Sequence, residues 1–165
     1  MDRASTLIRL LSLLPHPERG HYAETYRATV KVETGTHVGS RSAGTAIYFL
    51  ITAEHGSTYL HRLISDEIFH LYEGGPLDVL MLFPDGAGHV KRLGTNLEAG
   101  ERPQIVIPAG TWFGTILCDE SPYCLFGCTV APGFEFRDFE LAAGPELGLR
   151  YPRFADLIGR MSRPA

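Results

Sequence analysis

The sequence predicts an all-β domain, a sandwich or barrel, with one short helix at each end. Three observations carry that prediction. From residue 22 onward the chain breaks into short runs rich in β-branched and aromatic residues, with Gly, Pro, Asp or Asn between most of them. Ahead of these runs lies a single stripe of leucines at helical spacing, and behind them a short helical tail. At 165 residues the chain has the length of one domain, 1–165, and can bury a substantial core without disulfide staples.

The first element is expected over 4–14. Leu7, Leu10, Leu11 and Leu14 recur at i, i+3, i+4 and i+7; Ser5 can cap the helix and Pro15 ends it. "PHPERG" then reads as a turn. The strand-like runs are "YRATVKV", "TAIYFLIT", "STYLHRL", "EIFHLYEG", "LDVLMLF", "HVKRLGT", "PQIVIPAG", "WFGTILC" and "YCLFGCTVAP". Eight or more short strands at this spacing suit an architecture that limits its exposed edges, here spanning about 22–142. "RYPRFADLIGRM" reads as a second helix over 152–161, after Pro152. No repeat, linker or low-complexity segment interrupts this order.

Composition excludes several partners. Hydrophobic residues make up 44% and charged residues 21%, ordinary for a globular domain. Net charge is −4, no Lys/Arg run occurs and only two lysines exist, Lys31 and Lys91, so no basic surface for nucleic acid is expected. "LIRLLSLLP" is too short to span a membrane and no small-residue cleavage site follows it, so the expected location is cytoplasmic. Cys118, Cys124 and Cys128 are odd in number and lack CxxC spacing; Cys124 and Cys128 read as small core residues rather than as a disulfide or zinc set. No phosphate loop, nucleophile elbow or His-Glu-x-x-His helix is found.

The stretch "YLHRLISDEIFHLYEGG" carries two histidines, a glutamate and a closing Gly-Gly. It resembles the first cupin signature, with His61, Glu67 and Gly74 in place and Leu63 where a second histidine would stand. "IPAGTWF" resembles the second signature through Pro108 and Gly110, with Phe113 where a third histidine would stand. A narrower resemblance covers nearly the whole chain. "HPERGHYAETYR", "TAIYFLI", "HRLISDEIFH", "VIPAGTWFG" and "GCTVAPGFEFRDFELA" occur in the order of the cupin-5 family, with Arg19 where that pattern more often has Gly and Phe69 where it often has Trp. The resemblance implies a double-stranded β-helix (jelly roll), commonly a homodimer, with a pocket at the barrel mouth. It implies no particular reaction.

A transition-metal site needs three or more converging protein donors. Leu63 and Phe113 cannot donate, so only His61 and Glu67 remain to hold a divalent cation, and no cofactor is expected. Strand alternation puts Glu67, Phe69 and Leu71 on one face and His70 on the other. What remains is a histidine beside a carboxylate in an apolar cup, a pair able to move protons near neutral pH. His61 is expected as general base and Glu67 as its orienting partner. Arg27 and Gln104 are expected to hold the ligand, with Leu63, Phe69, Phe113 and Thr115 completing the wall.

Other residues admit two readings. Arg27 can grip a ligand carboxylate or phosphate, or form a structural ion pair. "APGFEFRDFELA" can be a lid, or a barrel-closing segment whose charges face water. Trp112, the sole tryptophan, alternates with Phe113 and so points away from the interior. Three functions stay open: a metal-independent isomerase, epimerase or lyase on a small sugar-like or carbonyl metabolite; a small-ligand-binding module without chemistry; and a metal-dependent cupin with a reduced ligand set.

Overall fold

Alternation of buried and exposed side chains turns the strand-like runs into two facing sheets. The structure, a computed structural model, describes residues 2–119, 121–142 and 145–163. Among the described residues, thirteen strands follow in chain order: β1 (Leu14–Pro15), β2 (His21–Arg27), β3 (Lys31–Val32), β4 (Arg41–Ser42), β5 (Thr45–Thr52), β6 (His61–Leu63), β7 (Asp66–Gly74), β8 (Leu77–Leu82), β9 (Gly88–Leu93), β10 (Gln104–Ile107), β11 (Trp112–Leu117), β12 (Tyr123–Ala131) and β13 (Phe139–Leu141). One sheet runs β1-β2-β5-β12-β7-β10, the other β13-β6-β11-β8-β9, and β3 pairs with β4 alone. The named strands pair antiparallel throughout. This is the double-stranded β-helix that the family resemblance implies.

Phe49, Ile51, Phe69, Leu77, Val79, Met81, Phe113, Cys124 and Phe126 fill the space between the sheets. Their neighbours in sequence face outward, as period-two alternation requires. Two helical layers cover parts of the outer faces. Helix α1 (Arg3–Leu10) lays Leu7 against Leu50 and Leu125 of the six-stranded sheet. Helices α2 (Pro145–Arg150) and α3 (Ala155–Arg160) bury Leu147 and Ile158 with Tyr151 and Met161 against Leu60, Leu80, Leu82 and Trp112 of the five-stranded sheet. Trp112 thus points away from the interior, with the Arg62 guanidinium 4.5 Å from its ring centroid.

The helix boundaries differ from the sequence expectation. Helix α1 ends at Leu10 and not at residue 14, because Ser12 takes a positive φ of 53° and Leu14–Pro15 joins the sheet. Its cap is Asp2, which accepts from Ser5 N at 2.7 Å; Ser5 is not the cap. The C-terminal tail begins as a 3₁₀ turn at Pro152–Phe154 before α3, and α2 precedes both. No helix among the described residues is long and apolar enough to cross a membrane.

Candidate functional site

One end of the barrel interior is solid and the other holds a cavity of about 410 Å³. Four elements build its floor. The turn between β1 and β2 brings in His16 and Glu18, the start of β6 brings His61 and Leu63, the start of β7 brings Glu67, and β12 brings Cys128. The turn is tight enough to fix these groups. His16 N donates to Gly20 O at 3.0 Å, and Arg19 N to His16 O at 3.1 Å. Gly20 has φ +72°, and a Cβ there would stand 2.7 Å from the Phe49 ring. Arg19, with φ 76°, holds the left-handed position where the resembled pattern more often has glycine. Its guanidinium donates to Ser57 Oγ at 2.9 Å and lies 4.2 Å from the Tyr59 ring centroid, contacts that offset the backbone strain.

His61 is held through both ring nitrogens. Nδ1 donates to Tyr59 O at 2.8 Å, and Nε2 lies 3.0 Å from Glu18 Oε2. Burial works against its charged form, but Glu18, Glu67 and the Tyr59 carbonyl outweigh burial and raise its pKa. The raised pKa favours the imidazolium, the form in which both ring nitrogens donate. The carboxylate that orients it is Glu18, not Glu67 as the sequence suggested. His16 differs: its Nδ1 accepts from Glu18 N at 3.3 Å, and burial, only partly countered by Glu18, lowers its pKa, which favours the neutral ring.

Glu67 is the odd member. It is 7% exposed, and its Oε2 is buried with no hydrogen-bond partner. Burial pushes its pKa up to about 7; His61 opposes the shift and Glu18 adds to it. The neighbouring Cys128 thiol is pushed well above its ordinary range by burial and by the two carboxylates, so it is an inert wall and not a nucleophile.

Aromatic side chains form the wall and mouth. Tyr22 and Phe49 come from the six-stranded sheet, while Phe134, Phe136 and Phe139 come from the segment leading into β13. That segment is pinned by Arg41, 1% exposed, whose Nε and Nη2 reach Asp138 at 2.6 and 2.7 Å and whose Nη1 donates to the carbonyls of Val38, Gly39 and Ser40. Asp138 is thus tied to a buried guanidinium, which corrects the reading that this segment's charges simply face water.

Of the residues proposed from sequence, His61, Glu67, Leu63 and Arg27 line the cavity. Arg27 makes the ion pair with Glu24, at 2.7 and 2.9 Å, and also donates to Phe134 O. The other four lie elsewhere. Phe113 packs edge-on beneath His61, ring centroids 4.1 Å apart, and Phe69 lies in the core against Phe113 and Phe126. Thr115 is buried against Thr58, its N–H donating to Thr58 Oγ1 at 2.9 Å. Gln104 is exposed on the sheet edge, 3.3 Å from His70 Nδ1, and His70 Nε2 meets Thr129 on the outer face. His16, Glu18, Cys128 and Thr45 are lining residues that sequence reasoning did not single out as site members. The signal for Glu18 was present in "HPERG", an acidic residue held in a Pro/Gly turn beside a histidine.

The donor set does not fit a resident transition metal. Both His61 nitrogens are engaged by Tyr59 and Glu18, Leu63 and Phe113 cannot donate, and among the described residues no three His, Cys, Asp or Glu side chains gather as a cation-holding group.

Comparison with known proteins agrees with the fold and leaves the chemistry open. A hypothetical protein from Leishmania major superposes with a TM-score of 0.91 at 33% identity, covering 99% of this chain and 100% of that one. Protein SO0799 from Shewanella oneidensis superposes with a TM-score of 0.88 at 35% identity over 100% of both chains. The uncharacterized protein YML079W of Saccharomyces cerevisiae is 29% identical over 152 residues, 85% of this chain and 75% of its own. The family model described as Cupin superfamily (DUF985) matches residues 5–142, and the chain belongs to that family.

Proposed function

We propose that the cavity is the active site of a metal-independent enzyme that moves a proton on a small polar metabolite, an isomerase, epimerase or lyase acting next to a carbonyl. The observation that carries this reading is Glu67: a buried carboxyl, unpartnered at Oε2, lining the cavity, with a pKa near 7. A group with that pKa is present in both protonation states at neutral pH and can take a proton and return it. His61 is poorly placed to serve as the base, because Tyr59 O and Glu18 Oε2 occupy both of its ring nitrogens. In the imidazolium form, which its surroundings favour, it stabilises negative charge developing on a substrate oxygen nearby. Glu18 holds the imidazolium in place, a positioning role.

The test is solvent exchange. A panel of small aldoses, ketoses, 2-oxo acids, amino sugars and amino ketones is incubated with the protein in deuterium oxide and followed by proton NMR. The wild-type chain should wash deuterium into the carbon beside the carbonyl of at least one compound, and Glu67→Gln should not. Equal exchange by both proteins, or none by the wild type with any compound, overturns the reading.

A second reading, capture of a ligand without chemistry, draws on the aromatic belt at the mouth, which serves binding alone. A compound that raises the melting temperature yet returns unchanged and unlabelled would select it. For the working form we propose a homodimer. Tyr72, 54% exposed, and Val106, 48% exposed, lie on the outer face of the paired strands β7 and β10 and support it. A light-scattering mass of one chain at all concentrations would refute that.

A further inference from the structure

The cavity's charged lining is unbalanced once its internal pairs are matched. Four carboxylates line it, Glu18, Glu24, Glu67 and Glu135, against the basic groups Arg27, His61 and His16, the last with its pKa lowered by burial. Arg27 is committed to Glu24, and His61 to Glu18. Glu135 accepts from Arg137 at 2.6 Å, with Arg41 3.9 Å away. Glu67 is left, more than nine-tenths buried, with Oε2 unpartnered. The capacity facing a ligand is therefore an acceptor, and both lining cations are already held by carboxylates. Around the mouth, the rings of Phe134 and Phe136 stand 5.1 Å apart, those of Phe136 and Phe139 6.3 Å apart, and His16 stacks on Phe136 at 6.0 Å. Aromatic faces carry the negative side of a quadrupole and attract cations.

Each ligand class meets this lining differently. An anion meets an excess of carboxylates. A neutral alcohol can satisfy Glu67 but makes no use of the ring faces beyond contact. An ammonium group gains from both. We propose that the cavity takes a small organic cation, an amine or a quaternary ammonium compound, its charge set between the Phe134, Phe136 and Phe139 rings and the unpartnered carboxyl of Glu67. This rests on the cavity being the ligand site, as in the proposed function, but not on any chemistry there. It also predicts a pH signature. The groups facing Glu67 are Glu18 from the first turn, His61 from β6 and Cys128 from β12. A bound cation favours the ionised carboxyl, so cation affinity rises as pH increases through about 7.

Three probes of one shape separate the classes: choline, 3,3-dimethylbutan-1-ol and 3,3-dimethylbutanoate, measured by titration calorimetry. Choline should bind about tenfold or more tighter than the alcohol, with a proton released on binding near neutral pH, and the anion should not bind. The preference for choline should shrink in Glu67→Gln and in Phe136→Leu, which keeps bulk at the mouth and removes the ring. An alcohol that matches choline, an anion that binds better, or no binding by choline overturns the proposal. The exchange assay is independent: lost cation preference with intact Glu67-dependent exchange refutes only this inference, and cation binding without exchange refutes only the enzyme reading.

Discussion

Two cysteines on one strand mark the two ends of the barrel. Cys124 and Cys128 both lie on β12 and both point inward, where the interior cluster includes them. Cys124 is fully buried at the solid end, and burial raises its thiol to about 12. Cys128 stands four residues, two alternations, further on, beside Glu67, and faces a cavity. The surroundings at the solid end are Leu77, Ile51 and Phe126; at the open end they are two carboxylates and two histidines. One end maximises apolar burial. The other gives up packing to keep ionisable groups out of water, and only the second arrangement has chemical potential to spend on a ligand.

This contrast can be broken or sharpened experimentally. The largest effect is expected at the open end, where Glu67→Gln should lower proton exchange by about 10²–10⁴-fold, as for loss of a general acid–base. It should leave the melting temperature equal or higher at pH above 7. A collapse in stability would mean that Glu67 is a packing residue. Next comes the solid end. Phe126→Ala should cost about 3–5 kcal/mol in urea unfolding, with the ligand affinity of the surviving fold unchanged. Phe136→Ala, half exposed at the mouth, should cost about 0.5 kcal/mol or less while weakening binding. If the two mutants behave alike, the two ends do not differ in the way described.

The pH dependence of stability tests the same contrast from another side. Glu67 binds its proton more tightly folded, with a pKa near 7, than unfolded, near 4.5. Its favourable contribution is full below about pH 4.5 and is lost as pH rises through about 7. That loss is on the order of 3 kcal/mol. His61, also raised, loses its contribution in the same direction above its folded pKa. Wild-type stability should therefore fall between about pH 5 and about pH 8, and Glu67→Gln should flatten that slope. Identical slopes in urea unfolding would show that Glu67 titrates normally. The smallest effect concerns the turn that supports the floor. Arg19→Ala removes the Ser57 and Tyr59 contacts and keeps the positive φ, whereas Arg19→Gly relieves it. The glycine variant should be about 1 kcal/mol more stable than the alanine variant.

How much of this was legible beforehand follows from the physics of each signal. Strand parity is local, so the inward face of Glu67 and Phe69, the outward face of His70 and the outward Trp112 could be read from alternation. Parity does not give depth. Thr115 shares the inward parity of Phe113 and Leu117, yet it sits against Thr58 and away from the cavity. Gln104 was misplaced although its neighbours Ile105 and Ile107 point inward, which sends Gln104 out. Glu18 was missed for a different reason. The "HPERG" turn marks an acidic residue beside a histidine, but its reach to His61 depends on β1 and β2 folding that turn over the barrel end, a contact remote in sequence that the local pattern does not encode. Helix α2 was also missed; "PELGLR" is too short and contains a glycine, so its helical state depends on Leu147 docking against the sheet.

The stacking of Arg62 on Trp112 beneath the terminal helices has an optical corollary. The chain's single indole emitter is mounted on the outside of the barrel wall, shielded by α2 and α3 and not among the residues lining the cavity. Its emission will register detachment of the C-terminal tail before the β-structure melts. It will stay nearly silent when a small molecule enters at the mouth, so occupancy has to be followed by calorimetry or NMR.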